Sequence, residues 1–221
     1  MFKTLSFKLL SVLSLVALLS ACAQPVKRPD YTAFKKSQPR SILVLPPLNE
    51  TSDVGATYGL LSQMTLPLAE SGYYVVPVAV MDETFKQNGL TNAAEIQETS
   101  PAKLREIFGA DAALYSKVSQ YGTVYRVLAS ATVVSASAKL VDLRTGDVLW
   151  QGRASASSDE GNNNGGGSLI GMLVVAAVKQ IANTLMDQSH DVAAYTSTRL
   201  LSAGPPNGLL YGPHSPKYGT D

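Results

Sequence analysis

Cysteine occurs once in the 221-residue chain, at Cys22, and histidine twice, at His190 and His214. A single thiol forms no intramolecular disulfide and no cysteine-rich metal cage, and two histidines argue against a multi-histidine metal site. Charge is also sparse: 16% of residues are ionic, and 18 basic against 17 acidic side chains leave a net of +1. That balance excludes a strongly basic nucleic-acid binder and a disordered acidic tail. What the chain does have is apolar content, 45% of its residues, and a length at which roughly 70% of the unfolded surface can be buried without covalent staples. The near-zero charge conceals three unlike parts. Lys3 and Lys8 make the extreme amino terminus basic, residues 23–40 carry a net of +4, and residues 41–221 hold 11 basic against 16 acidic groups.

The start, Met1-Phe2-Lys3-Thr4-Leu5-Ser6-Phe7-Lys8, is followed by an apolar run from Leu9 to Leu19 broken only by serines. That run falls short of the roughly 20 residues a bilayer-spanning helix needs, but it suits the core of a signal peptide over residues 1–21. It ends in Leu19-Ser20-Ala21-Cys22, which resembles the bacterial lipobox. The resemblance implies signal-peptidase recognition through Leu19, Ser20 and Ala21, and a Cys22 whose thiol becomes a thioether to diacylglycerol. Each buried methylene contributes about 0.8 kcal/mol, so two or three acyl chains hold a protein to a membrane essentially permanently. Ala23 follows, not the Asp that the enteric sorting rule associates with inner-membrane retention. The implied location is the outer membrane, facing the periplasm, with surface exposure left open.

Residues 22–40 carry three prolines and no period, and read as an acylated cysteine plus a basic tether: Lys27, Arg28, Lys35, Lys36 and Arg40 against Asp30. Such a segment suits an anionic lipid surface as well as plain solvation. A single α/β domain is expected over 41–201, followed by a Gly/Pro-rich tail over 202–221. Ser41 to Leu45 is a continuous apolar run stopped by Pro46 and Pro47, as in a strand buried on both faces. Asp53 can cap a helix through Ala69, with Leu60, Leu61, Met64 and Leu68 at helical spacing and Pro67 ending or kinking it. Tyr73 to Val78 reads as a second strand, parallel to the first by a right-handed crossover. Helices are expected over Met81 to Gln87 and from a Ser100 cap through Phe108, with Leu104, Ile107 and Phe108 inward. Ala112 to Ser119, Val124 to Leu143 and Val148 to Arg153 read as strands of an antiparallel meander turning at Asp142-Leu-Arg-Thr-Gly-Asp147. An apolar helix from Leu169 to Met186 and another from Asp191 to Leu201 complete the domain. The fold class is α/β: three layers, a mixed sheet with a parallel core and antiparallel meander, and flanking helices.

Catalytic constellations are scarce. Gly161-Asn162-Asn163-Asn164-Gly165-Gly166-Gly167-Ser168 has a P-loop's glycine spacing, but Gly167 stands where the phosphate-binding lysine belongs. Ser168 lacks the second glycine of a hydrolase elbow, Ile170 taking its place. His190 is flanked by Ser189 and Asp191, and residues adjacent on a helix do not face each other; it reads as a helix-end histidine, and His214 as a solvated loop residue. Leu169 to Ala177 is too short to span a membrane and reads as core rather than an insertion element. No catalytic residue, cofactor or metal is expected.

Five segments carry a family resemblance: Ser41-Ile-Leu-Val-Leu-Pro-Pro, Pro67 to Val78, Phe85-Lys-Gln-Asn-Gly-Leu, Pro101 to Tyr115 and Ala138 to Trp150. Together they resemble an uncharacterised family of Gram-negative outer-membrane lipoproteins, one member of which is a candidate vaccine antigen. More distantly, the order of these segments is similar to the amino-terminal domain of TolB and to the lipoproteins of the curli (CsgG) and Pel export systems. The resemblance implies an anticodon-binding-like α/β domain and no catalytic residues. It also implies a role by protein contact in an export or envelope-assembly complex, with other envelope proteins as partners, a CsgG-like lipoprotein or further copies of the chain among them, and no nucleic acid. Two rival readings stand beside it, a pore-forming CsgG-like subunit and a cell-envelope hydrolase using His190.

Overall fold

The computed structural model describes residues 29–125, 130–160 and 188–221. Its elements in chain order are helix α1 (Thr32–Ser37), strands β1 (Ser41–Val44) and β2 (Leu48–Asn49), α2 (Ala56–Glu70), β3 (Tyr74–Val75), then α3 (Val78–Gln87), α4 (Ala93–Glu98) and α5 (Pro101–Phe108). Three long strands follow, β4 (Ala112–Tyr125), β5 (Ser130–Asp142) and β6 (Val148–Ser157), and α6 (Gln188–Leu201) closes the series. The strands form one mixed sheet in the order β3-β1-β4-β5-β6. β3, β1 and β4 are parallel, and β4, β5 and β6 are antiparallel. β2 is also parallel to β4, pairing Leu48 with Lys117, and so continues the line of β1 beyond the Pro46-Pro47 break.

Why helices flank this sheet follows from its periodicity. Side chains alternate across a strand, yet Ile42, Leu43 and Val44 on β1 and Ala112, Ala113 and Leu114 on β4 are all buried. Both faces of the parallel half are therefore covered, which explains the unbroken apolar runs. One face meets α2, as the Ser116 hydroxyl near the Met64 sulfur marks. On β5 the pattern switches: Val134, Ala136, Ala138 and Leu140 are buried, while Ser135, Ser137 and Lys139 between them reach solvent. The meander thus has one covered face, to which the buried Thr196 of α6 is tied by a hydrogen bond to the Val134 carbonyl (3.1 Å).

Local chemistry sets the element ends. Ser100 accepts the Lys103 N–H, Pro101 occupies the first turn of α5, and Gly109 closes it at φ +66, a left-handed conformation glycine adopts without penalty. The expected strand over Tyr73 to Val78 is shorter: Pro77 has no N–H for a ladder, and its φ of −56 suits a helix start, so α3 begins at Val78 rather than Met81. Gly55, not Asp53, precedes α2, because the Asp53 carboxylate accepts the Gly55 N–H (2.8 Å) instead; the helix runs past Pro67 to Glu70. α6 already includes Gln188, Ser189 and His190, ahead of the expected Asp191. Ile107, expected inward, is 40% exposed, while Leu104 is fully buried.

The largest departures lie at the two ends. Within the expected tether, residues 32–37 form α1 and Phe34 is buried in the core. The Tyr31 hydroxyl donates to the Gly208 carbonyl (2.6 Å). The Gly/Pro-rich tail is a strap across the domain: Leu209 is fully buried, the Tyr73 hydroxyl donates to the Leu210 carbonyl, and Trp150 Nε1 donates to the Asn207 carbonyl (3.0 Å). Aperiodic sequence carries no signal for such packing, because each apolar residue finds its partner far away in the chain.

Candidate functional site

At the carboxyl end of the parallel strands the chain leaves β1 toward α2, and leaves adjacent β3 toward α3 and α4. Where neighbouring parallel strands send their connections apart, α/β sheets open a crevice. Here a groove of about 310 Å³ lies between those connections, lined by Pro46, Leu48, Asn49, Val54, Thr57 and Tyr58 on one side and Thr91 to Ala94 with Ile96 on the other.

Polar side chains hold both walls. Asn49 Oδ1 accepts the Thr51 N–H and hydroxyl, each at 2.8 Å, and Asn49 Nδ2 donates to the Asp53 carbonyl (2.7 Å). This tight loop carries Val54, which is 94% exposed. On the opposite wall Asn92 caps α4 by accepting the Ala94 N–H (2.8 Å). Gln97 then donates through Nε2 to the Pro46 and Ser116 carbonyls, both at 2.8 Å, fastening α4 to the sheet. Tyr58, half exposed, donates to Asp82 (3.2 Å), which also pairs with Lys86. Burial and then the Asp82 charge raise the Tyr58 pKa, and the hydrogen bond to Asp82 raises that of Lys86. The site offers two hydrogen-bonded walls, an apolar side chain held out into solvent, and the Asp82 carboxylate beside Tyr58.

His190 lies elsewhere: half-buried on α6, its Nε2 accepts from the Gln63 amide (2.6 Å) on α2. His214 is an exposed strap residue whose backbone N–H donates to the Gly72 carbonyl (3.0 Å). Neither lines the groove. Cys22 with Leu19, Ser20 and Ala21, the Gly161–Ser168 run and the apolar stretch from Leu169 lie outside the described residues. Among the described residues no three His, Cys, Asp or Glu side chains gather as for a metal ion, and no helix is long and apolar enough to cross a membrane. Apart from Pro46, read only as the stop of β1, the groove residues went unnoticed in the sequence, although Asn92-Ala-Ala-Glu95 carries the spacing of a helix-capping pair and signals α4.

The family model described as "Putative lipoprotein GNA1162-like" matches residues 29–214. The chain belongs to the GNA1162-like lipoprotein family. It is 54% identical over 203 residues, 91% of this chain and 93% of the relative, to the lipoprotein NMB1124/NMB1162 of Neisseria meningitidis serogroup B. It also overlays on the crystal structure of lipoprotein GNA1162 from Neisseria meningitidis with a TM-score of 0.54 at 57% identity, covering 66% of this chain and all of that one. A looser overlay, TM-score 0.44 at 13% identity and covering 79% and 91% of the two chains, is with the PelC dodecamer from Paraburkholderia phytofirmans. The GNA1162-like match spans α1 and most of the strap as well as the sheet.

Proposed function

We propose that this GNA1162-like chain is an outer-membrane lipoprotein facing the periplasm. In this reading it is anchored through an acylated Cys22, with Leu19, Ser20 and Ala21 read by the signal peptidase. It acts by protein contact, as an accessory subunit of an export or envelope-assembly complex, rather than by catalysis. The observation that carries this reading is the placement of the groove. Cys22 precedes α1, which docks beside the start of β1 and the end of β5: Ser37 donates to Asp142 (2.5 Å), and the Arg40 N–H to Asp111 (3.0 Å). The groove opens at the other end of β1 and along β2, on the order of 20 Å away at about 3.3 Å per strand residue. The groove walls, with Val54 and Tyr58, thus stand at the end of the domain opposite to the one on which the anchored amino-terminal stretch docks.

Two experiments in intact cells test this. Cys22→Ala is expected to leave uncleaved, unacylated precursor and to abolish labelling by a radioactive fatty acid; a fully soluble unmutated protein would sink the anchor. A photo-crosslinking residue at Val54 is expected to capture another envelope protein, identified by mass spectrometry, whereas the same residue at exposed Glu106 on α5 is not. Equal capture at both positions would remove the groove as the contact site.

A further inference from the structure

Resting on that reading, we infer that the groove receives an extended, basic segment of a partner polypeptide. Two features point to this occupant. The first is charge. Between Pro46 and Glu98 the chain carries seven acidic side chains and one basic, Lys86. Lys86 is engaged by Asp82, and Lys117 reaches Glu50 from β4. Asp53, Glu95 and Glu98 stand exposed in the loop and helix that form the two walls. With Lys86 and Lys117 paired to Asp82 and Glu50, Asp53, Glu95 and Glu98 leave an excess of negative charge beside the groove, which attracts basic segments and raises their rate of arrival.

The second feature is a strand edge. β1 is paired on both sides, with β3 and β4, whereas β2 pairs with β4 alone among the described residues. The Glu50 N–H is directed to the Val118 carbonyl on β4 (2.9 Å), so by strand alternation the N–H and C=O of Asn49 face the other way. Leu48 and Asn49 line the groove, and an incoming extended chain can add to this edge by main-chain hydrogen bonds. Val54 and Tyr58 then offer apolar contact to alternate side chains, and the carboxylates select lysine or arginine. The chain's own basic residues 32–40 are not this occupant, because α1 is fixed at the opposite end of β1.

The probe is a short fluorescein-labelled peptide alternating Lys and Val, with a Glu and Val counterpart, read by fluorescence anisotropy on the full chain. The Lys peptide is expected to bind at low salt, to weaken as salt rises, and to lose roughly tenfold in affinity on Glu95→Lys with Glu98→Lys and again on Val54→Ser. All three positions are exposed, so unchanged thermal melts are expected for the variants. Equal binding of the two peptides, or no effect of these substitutions, overturns the inference. Failure of the Lys peptide while Val54 still crosslinks a partner in cells overturns the occupant's chemistry but leaves the docking role standing. Failure of both overturns both, and an adduct between two copies of this chain overturns the assignment to a partner polypeptide.

Discussion

Asp142 is 2% exposed at the end of β5, and its carboxylate is surrounded by donors. Oδ1 accepts the backbone N–H groups of Arg144 (2.7 Å) and Thr145 (3.2 Å), while Oδ2 accepts Arg144 Nη2 (2.9 Å) and the Ser37 hydroxyl (2.5 Å). Burial by itself raises the pKa of this carboxyl, but the bonds from Arg144, Ser37 and the two amides outweigh it and bring the group from its ordinary 3.8 to about 2. At about 1.36 kcal/mol per unit, this amounts to roughly 2 kcal/mol of folding stability. Because the folded value is the lower one, that stability is fully present above pH 4 and is lost as pH falls from about 4 toward 2. Asp142→Asn keeps the shape and an acceptor for the two amides, yet sets an N–H₂ against the Arg144 guanidinium. We expect a loss of about 2–3 kcal/mol at pH 7, read by urea unfolding, because charged hydrogen bonds contribute about 1.5–3 kcal/mol each and half-exposed Arg144 recovers part through water. The gap between the two proteins is expected to narrow to under about 1 kcal/mol near pH 2. A difference that stays constant from pH 7 to pH 2, or one below about 0.5 kcal/mol at neutrality, would refute the reasoning.

Three further substitutions probe the packing. Gly72 has φ +96, and a Cβ there would lie 2.4 Å from the Ser215 nitrogen of the strap; Gly72→Ala is expected to cost 3 kcal/mol or more (~) in thermal or urea unfolding, and an unchanged melt would disprove the tight crossing. Leu209→Ala in the strap is expected to destabilise by about 2–5 kcal/mol, as for a buried core leucine, and a loss under about 1 kcal/mol would show the strap to be dispensable. Gln97→Ala removes the side-chain donor of the Pro46 and Ser116 carbonyls and is expected to cost about 1–3 kcal/mol. It also loosens one groove wall, so the Lys and Val peptide should weaken with it; unaltered binding in a destabilised variant would show that α4 does not shape the site.

Where order repeats locally, it was legible in the chain. The apolar run of β1, the helical spacing of Leu60, Leu61, Met64 and Leu68, the Ser100-Pro101 start and the Thr145-Gly146 turn all reappear, because each depends on periods or φ preferences within a few residues. α1 and the strap escaped notice: Phe34, Leu209 and Leu210 stand in aperiodic, proline-rich surroundings, and partners such as Gly208 for Tyr31 lie 177 positions away. Ser37 and Asp142 are likewise 105 apart. Of the groove, only the cap of α4 had a local signature. Val54 resembles any surface-loop valine until the loop bonds of Asn49 hold it outward.

Composition and local pattern alone determined the mixed α/β class, the scarcity of metal-ligand types and the separation of a basic amino-terminal stretch from an acidic domain, because each is a property of counts or short periods. Which carboxylates gather around one groove, which strand edge is left single and which end of β1 holds α1 were decided only in three dimensions. Those relations join residues through the sheet, and no short-range term in the sequence encodes them.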